Sequence, residues 1–277
     1  MAQPSTHRSE DVSAPRLKLE VEGQVARLTL TRPEVRNAFD EKLIAELTVA
    51  LAAVRSEFET EPGTAPRALI LTGEGAAFCA GADMNWMRRS AGFSRDENEA
   101  DAGRFARMMR ALDELPIPTI ARVNGVCLGG GMGLVACCDM AVAADGVDFG
   151  FTEVRLGIAP AVISSFVLPK IGVAAARRYF LTGEIFKADV AKSIGLVHEI
   201  VPAAGLDTAV ARLVDAIAAN GPLAVAAAKR LIRENAALRK DDAIENSVRA
   251  IAALRASPEG QEGLGAFLEK RRPAWKK

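Results

Sequence analysis

The chain has 277 residues, 49% of them hydrophobic and 25% charged, which suits a soluble globular protein built around one large core. Lys plus Arg equals Asp plus Glu at 35 each, so there is no global attraction to nucleic acid or to an anionic membrane. With only two histidines, His7 and His198, a multi-histidine metal centre and a Ser-His-Asp or Cys-His nucleophile are not expected, and acid/base chemistry falls mainly on carboxylates.

Residues 1–16 are polar, carry Pro and Ser, and lack the apolar stretch of a signal peptide; they read as a disordered tail. Gln24 to Leu30 alternates with period two and reads as a strand. Leu43, Leu47, Leu51, Val54 and Phe58 recur at helical spacing, and Ala68 to Leu71 is a short apolar strand ending in Thr72-Gly73. Phe105, Met108, Met109 and Leu112 mark a helix that the LPIP stretch from Leu115 ends. Thr119 to Val123 is the next strand, followed by a glycine-rich turn, a helix from about Gly133 to Cys138, and short strands at Met140–Ala144 and Val147–Phe151. Strands alternating with helices predict an α/β core, over residues 17–203, with largely parallel strands.

After Pro202 the character changes. Leu206, Val210, Leu213 and Ile217 form one helix face, Gly221-Pro222 opens another, and the chain is Ala-rich and helical to about Glu269. Residues 204–277 therefore read as a separate helical layer whose apolar faces suit packing against another subunit. The basic residues Arg271, Arg272, Lys276 and Lys277 read as a solvated tail. Cys79, Cys127, Cys137 and Cys138 form no CxxC pair, so no zinc site is expected, and reduced core thiols of a cytoplasmic protein are the default. No apolar run has the length and flanks of a membrane span.

Three segments carry chemistry. In FCAGADMNWM, Phe78–Met87, the small residues Ala80, Gly81 and Ala82 let a ligand approach the backbone, and Asp83 can cap the following turn or helix. In VNGVCLGGGMG, Val123–Gly133, the run Gly129–Gly131 leaves backbone N–H groups bare at a helix start, suited to a phosphate or a developing oxyanion. The same stretch contains GMGLVA, a loose dinucleotide fingerprint with Glu153 downstream. In FTEVRLGIAP, Phe151–Pro160, Glu153 stands among Phe149, Phe151, Val154 and Leu156, where apolar surroundings disfavour its charged form and suit a proton shuttle. His198, in the apolar run LVHEIV, reads as a packed histidine.

The ordered set FCAGAD, NGVCLGGGMGL and the glutamate before RLGI resembles the enoyl-CoA hydratase/isomerase (crotonase) superfamily, over nearly the whole chain from about Leu17. GADMNWMRR, SRDEN and EVRLGIAPAVIS resemble its bacterial methylglutaconyl-CoA hydratase-like branch. The resemblance implies a spiral of ββα units assembled as trimers or dimers of trimers. It implies oxyanion-hole amides at Ala82 and Gly130, with Glu153 as acid/base. It also implies coenzyme A contacts at Arg36, Ala38, Ala80 and Ala82, with Phe267 and Lys270 supplied by a neighbouring subunit. Coenzyme A would be part of the acyl-CoA thioester substrate, and no separate cofactor or metal is expected.

The sequence departs from the two-glutamate hydratases at Gly133, where the resemblance implies their first catalytic glutamate. A single carboxylate is enough to move a double bond, whereas hydration must also activate water. The expected function is hydration of a 2-enoyl-CoA, such as 3-methylglutaconyl-CoA, or its reverse. The alternative is a Δ3,Δ2-enoyl-CoA isomerase. A catalytically silent acyl-CoA binder and a dinucleotide-dependent oxidoreductase are the readings from other classes. Arg88, Arg89 and Arg155 are candidate cations for a distal substrate carboxylate, and Gly133→Glu is expected to supply the second carboxylate if the turn has room.

Overall fold

The computed structural model describes residues 15–276. The tail expected over 1–16 therefore lies outside the described residues up to residue 14, as does His7. Arg16 is anchored: its amide donates to Glu46 Oε2 at 2.8 Å and its guanidinium pairs with buried Asp40.

In chain order, Leu17–Glu22 (β1) and Val25–Leu30 (β2) form a hairpin, and Glu41–Thr60 (α1) follows. Ala68–Gly73 (β3) and Ala77–Cys79 (β4) lead into Met84–Ser90 (α2) and Arg95–Asp113 (α3). Thr119–Val123 (β5) and Val126–Leu128 (β6) lead into Gly130–Cys137 (α4). Met140–Ala144 (β7) and Asp148–Gly150 (β8) lead into Ala161–Thr182 (α5). Ile185–Lys187 (β9), Ala188–Ser193 (α6) and Glu199–Val201 (β10) complete the α/β part. Leu206–Ala218 (α7), Pro222–Ala237 (α8), Lys240–Ala256 (α9) and Pro258–Leu268 (α10) close the chain.

Two sheets organise the core. The larger has the order β1-β2-β3-β5-β7-β10 and the smaller β4-β6-β8-β9. All pairings are parallel except those of the edge strands β1 and β9. Three successive units repeat one plan: a strand for the large sheet (β3, β5, β7), a strand for the small sheet (β4, β6, β8), then helix. This is the α/β spiral of ββα units that the resemblance implies.

The local patterns explain the elements. β2 buries Ala26, Leu28 and Leu30 on one face, whereas β3 sits between two strands, is covered on both faces and is buried throughout. Asp40 caps α1 by accepting from the Leu43 amide at 2.9 Å, and the stripe Leu43, Leu47, Leu51, Val54 and Phe58 faces the core. Ser94 and Glu97 form a reciprocal capping box at the start of α3. The helix expected to start at Gly133 starts three residues earlier, at Gly130. No sequence periodicity marks α5, because Pro169 and Gly172 interrupt it; Gly172 sits at φ 69° and breaks the helix.

The C-terminal helices differ in how much they bury. α7 places Leu206, Ala209, Val210 and Val214 in the core. α8, α9 and α10 bury only Ala227 and Ala266 among them, and leave Ile232, Val248, Leu264, Phe267 and Leu268 exposed. Among the described residues no single helix is long and apolar enough to cross a membrane. Arg271, expected in a solvated tail, pairs at the surface with Glu262 and Glu269.

The residues set aside from catalysis serve packing. His198 Nδ1 accepts from the Ala141 amide at 3.1 Å, tying the entry to β10 onto β7, and burial lowers its pKa. All four cysteines are free and buried, and burial pushes the Cys79 and Cys138 thiols up to about 12.

Candidate active site

The three segments that carry chemistry converge for a topological reason. Each stands at the C-terminal end of one strand of the small sheet: Ala80–Asp83 of FCAGAD after β4, the glycine run after β6, and Glu153 after β8. These strands are parallel neighbours in the order β4-β6-β8, with a spacing of about 4.8 Å. Residues some 25 and 50 positions apart in sequence thereby stand side by side, at the end of a parallel sheet where ligands of α/β folds bind.

The first turn is held by its backbone. Phe39 N–H donates to the Gly81 carbonyl at 2.7 Å, and Asp83 N–H donates to the Phe39 carbonyl at 2.7 Å. Peptide groups alternate along an extended chain, so the N–H of Ala82, between them, points away from Phe39. Asp83 receives the Asn85 and Trp86 amides at 2.7 and 3.3 Å, capping α2, and pairs with Arg32 at 2.8 Å. Burial opposes its ionisation, but these donors lower its pKa overall.

The second turn packs against the first. A β-carbon on Gly81 would stand 3.7 Å from the Gly130 amide nitrogen. Gly130 opens α4, where amides lie beyond the intrahelical ladder and the helix dipole is positive. Gly129 N–H is already used, donating to the Gly150 carbonyl at 2.9 Å. A β-carbon at Gly131 would meet the Cys79 carbonyl at 2.4 Å, so that glycine serves the close approach of α4 to β4. Both glycines of GMGLVA, Gly131 and Gly133, stand where an added β-carbon would meet neighbouring atoms at 2.4 Å.

Glu153 starts the 3-10 turn Glu153–Leu156 after β8 rather than ending a strand. Its Oε1 lies 3.6 Å from where a Gly129 β-carbon would be, and its Oε2 is buried without a partner among the described residues. Burial raises its pKa. A buried carboxyl oxygen without a protein partner calls for an explanation, and a bound group or a water would supply one. It stands beside the Gly129–Gly130 turn, placed to exchange a proton with a group bound there.

A cavity of about 410 Å3 joins these parts, within the usual range for ligand pockets. Ala80, Gly81, Ala82, Gly129, Gly130 and Glu153 all line it. Arg36 and Ala38 lie on the turn before α1, whose Arg36 carbonyl receives the Ala80 amide at 3.0 Å. Arg36 and the buried Asn37 both have positive φ, and Asn37 pins the turn to the Glu74 and Ala77 carbonyls. Phe267 and Lys270 are at the end of α10 and do not line the cavity; Phe267 is 80% exposed. Arg88, Arg89 and Arg155 do not line it either, and Arg89 is paired with Glu41.

Gly133 faces a filled space. A β-carbon there would stand 2.4 Å from Ile163 Cγ2 and 3.0 Å from Met109 Cε. The place a glutamate side chain would need is occupied by apolar side chains from α5 and α3, so the room needed for Gly133→Glu is absent. That variant is expected to lower stability by about 1–3 kcal/mol from overpacking alone, with further loss from burying a charge, and not to gain hydration. Thermal melting together with a hydration assay checks this.

Trp86 of the FCAGADMNWM segment lines the cavity; so do Phe39, Asn98, Asp101 and Phe105, which sequence patterns do not bring to the site. Phe105 was legible only as a core position, and its ring packs edge-on to Phe39 at 5.1 Å. Asp101 had a usable signal: it is the acidic member of the stripe Asp101, Phe105, Met108, Met109 and Leu112.

With this geometry in view, relatives bear on the chemistry. The family model for enoyl-CoA hydratase/isomerase matches residues 20–277. A crotonyl-CoA hydratase of Syntrophomonas wolfei is 34% identical, covering 92% of this chain and 95% of its own. Among solved structures, an enoyl-CoA hydratase from Shewanella pealeana is 39% identical, with a TM-score of 0.88 over 94% of this chain and 96% of that one. One from Mycobacterium smegmatis is 34% identical, with a TM-score of 0.89 over 95% and 100%. Since the match runs through all three turns and nearly the full length, the chain belongs to the enoyl-CoA hydratase/isomerase (crotonase) superfamily and is an enzyme of that type.

Proposed function

We propose that this enzyme adds water across the 2,3-double bond of a 2-enoyl-CoA, or removes it in reverse. The Ala82 and Gly130 amides receive the thioester oxygen as it becomes an enolate, and Glu153 delivers or removes the proton at the α-carbon. The observation that carries this reading is the meeting of both amide-bearing turns, in one cavity, with the Glu153 carboxyl, whose buried Oε2 has no partner among the described residues. Coenzyme A enters as part of the substrate, past Arg36, Ala38 and Ala80, and no separate cofactor is required. Δ3,Δ2-isomerisation is the second reading, favoured by the apolar filling around Gly133.

Among the described residues lining the cavity there is no Lys or Arg. A neutral acyl group is therefore favoured over the dicarboxylic 3-methylglutaconyl group that the branch resemblance implies. The test is a panel containing crotonyl-CoA, 3-methylcrotonyl-CoA, 3-methylglutaconyl-CoA and a 3-enoyl-CoA, incubated in heavy-oxygen water. Oxygen incorporation marks hydration, a double-bond shift without it marks isomerisation, and inertness would sink both readings.

The exposed apolar residues of α8–α10 support a trimer or a dimer of trimers, in which Phe267 and Lys270 would reach a neighbour's cavity mouth. Sedimentation is expected to give three or six copies, and Phe267→Asp to shift the mass toward monomer. A monomeric wild type would overturn this assembly.

A further inference from the structure

Two carboxyl groups line the cavity among the described residues: Glu153, on one wall, and Asp101, on α3. Asp101 is 7% exposed and sits on the stripe with which α3 faces inward, together with Phe105, Met108, Met109 and Leu112. An apolar residue there would extend the stripe, and burying a carboxylate costs free energy unless it is compensated. Arg104, half exposed, donates to Oδ1 at 2.5 Å, and Oδ2, with no bond among the described residues, keeps access to the cavity.

The position of Asp101 follows from how α3 and α4 pack. A β-carbon at Gly133 would approach Met109 Cε at 3.0 Å, and one at Gly130 would approach Phe105 Cζ at 3.2 Å. Contacts on the two helices thus step together, four residues on α3 for three on α4. One turn further back along α3 is Asp101. One turn further back along α4 there is no helix, because α4 begins at Gly130 and the cavity opens there. Asp101 therefore stands off the amide end of α4, on the side of the cavity formed by α3.

We propose that Asp101 is a further catalytic residue, the base that activates water for hydration, in place of the carboxylate that position 133 cannot hold. The proposal rests on the enolate reading of Ala82, Gly130 and Glu153. A water held by Asp101 attacks the β-carbon of the 2-enoyl-CoA. Its proton passes to the Asp101 carboxylate as the new C–O bond forms. The π electrons move onto the α-carbon and thioester oxygen, where the two amides receive the enolate. Protonated Glu153 then gives its proton to the α-carbon. Water has added across the double bond, Asp101 ends protonated and Glu153 ionised, and proton exchange with solvent restores both. Dehydration is the same sequence reversed.

The experiment separates the two carboxyl groups by reaction. Hydration of crotonyl-CoA and 3-methylcrotonyl-CoA is followed by heavy-oxygen incorporation, and α-proton exchange of butyryl-CoA in deuterium oxide is followed by mass. Exchange needs the enolate and Glu153 but no water attack. Asp101→Asn is expected to lose hydration by roughly 10²- to 10⁴-fold and to keep exchange close to wild type. Asp101→Leu, which suits the apolar stripe, is expected to show the same split and guards against a folding failure of the Asn variant. Asp101→Glu is expected to recover part of the hydration. Hydration unchanged in both Asn and Leu variants, or hydration and exchange falling together, would overturn the proposal. So would a wild type that exchanges α-protons but hydrates neither substrate. Glu153→Gln, run alongside, is expected to lose both reactions; if it keeps exchange, the Glu153 assignment fails, an outcome distinct from any result at Asp101.

Discussion

Glu153→Gln is expected to lower kcat by roughly 10²- to 10⁴-fold while acyl-CoA binding stays near wild type, the loss that follows when a positioned acid/base is removed. Gln keeps the shape and much of the hydrogen bonding, so the change isolates the titrating proton. The reason to expect a large effect is the environment: Oε2 is buried without a partner among the described residues, and burial raises the pKa. A carboxyl group whose protonated form is favoured by burial can act in both directions. In hydration it must start protonated, so kcat/KM should fall as the pH rises through the raised Glu153 pKa. The Gln variant should lack that limb. Steady-state kinetics across pH with CoA-ester calorimetry reads both; more than about a tenth of wild-type kcat retained would place the acid/base elsewhere.

Stability should move the other way. The folded pKa of Glu153 lies above its unfolded value, so the folded form holds the proton more tightly. The associated stability is present below the unfolded pKa and is lost as pH rises through the folded one. At neutral pH and above, Glu153→Gln should melt at or above the wild-type temperature, with the difference shrinking in acid. A lower melting temperature across that whole range would mean the carboxyl group is structural.

Gly130→Val is expected to lower kcat by roughly 10²- to 10³-fold, the usual cost of one oxyanion-hole donor. A β-carbon at Gly130 would stand 3.1 Å from Phe39 and 3.2 Å from Phe105, closer than ordinary contact. The two rings already pack against each other at 5.1 Å, so they cannot both retreat. Valine is therefore expected to push the first turn of α4 away from Ala82, which would separate the two proposed oxyanion-hole amides. Gly130→Ala, with one added carbon, should fall between valine and wild type. Fold stability should suffer less than turnover because the strain is confined to the cavity wall. A folded Gly130→Val enzyme with wild-type kcat would assign the glycine turn another purpose.

The expected alternation of strands and helices matches the structure because burial patterns are local: period two in β2, a continuous apolar run in β3, a helical stripe in α1. Strands of three residues, such as β6 and β9, carry too few positions for a period to show, and α5 hides behind Pro169 and Gly172. The residues of the candidate site were legible in kind. Small residues, bare glycine amides and a glutamate among phenylalanines are each a chemical statement that sequence can make. Asp83 is legible as a cap for the following turn or helix, and it caps α2.

By itself, then, the sequence determined the α/β class, the three turns and their chemical character, because each depends on a few neighbouring residues. The tertiary structure decided that the turns follow adjacent parallel strands and so meet. It decided that the space beside Gly133 is filled by Ile163 and Met109, which come from separate helices. It also turned Asp101, one residue of an ordinary helix stripe, into the second carboxyl group of the cavity. Each of these is a relation between segments far apart in the chain, fixed by how the sheets and helices stack, and no local pattern encodes it.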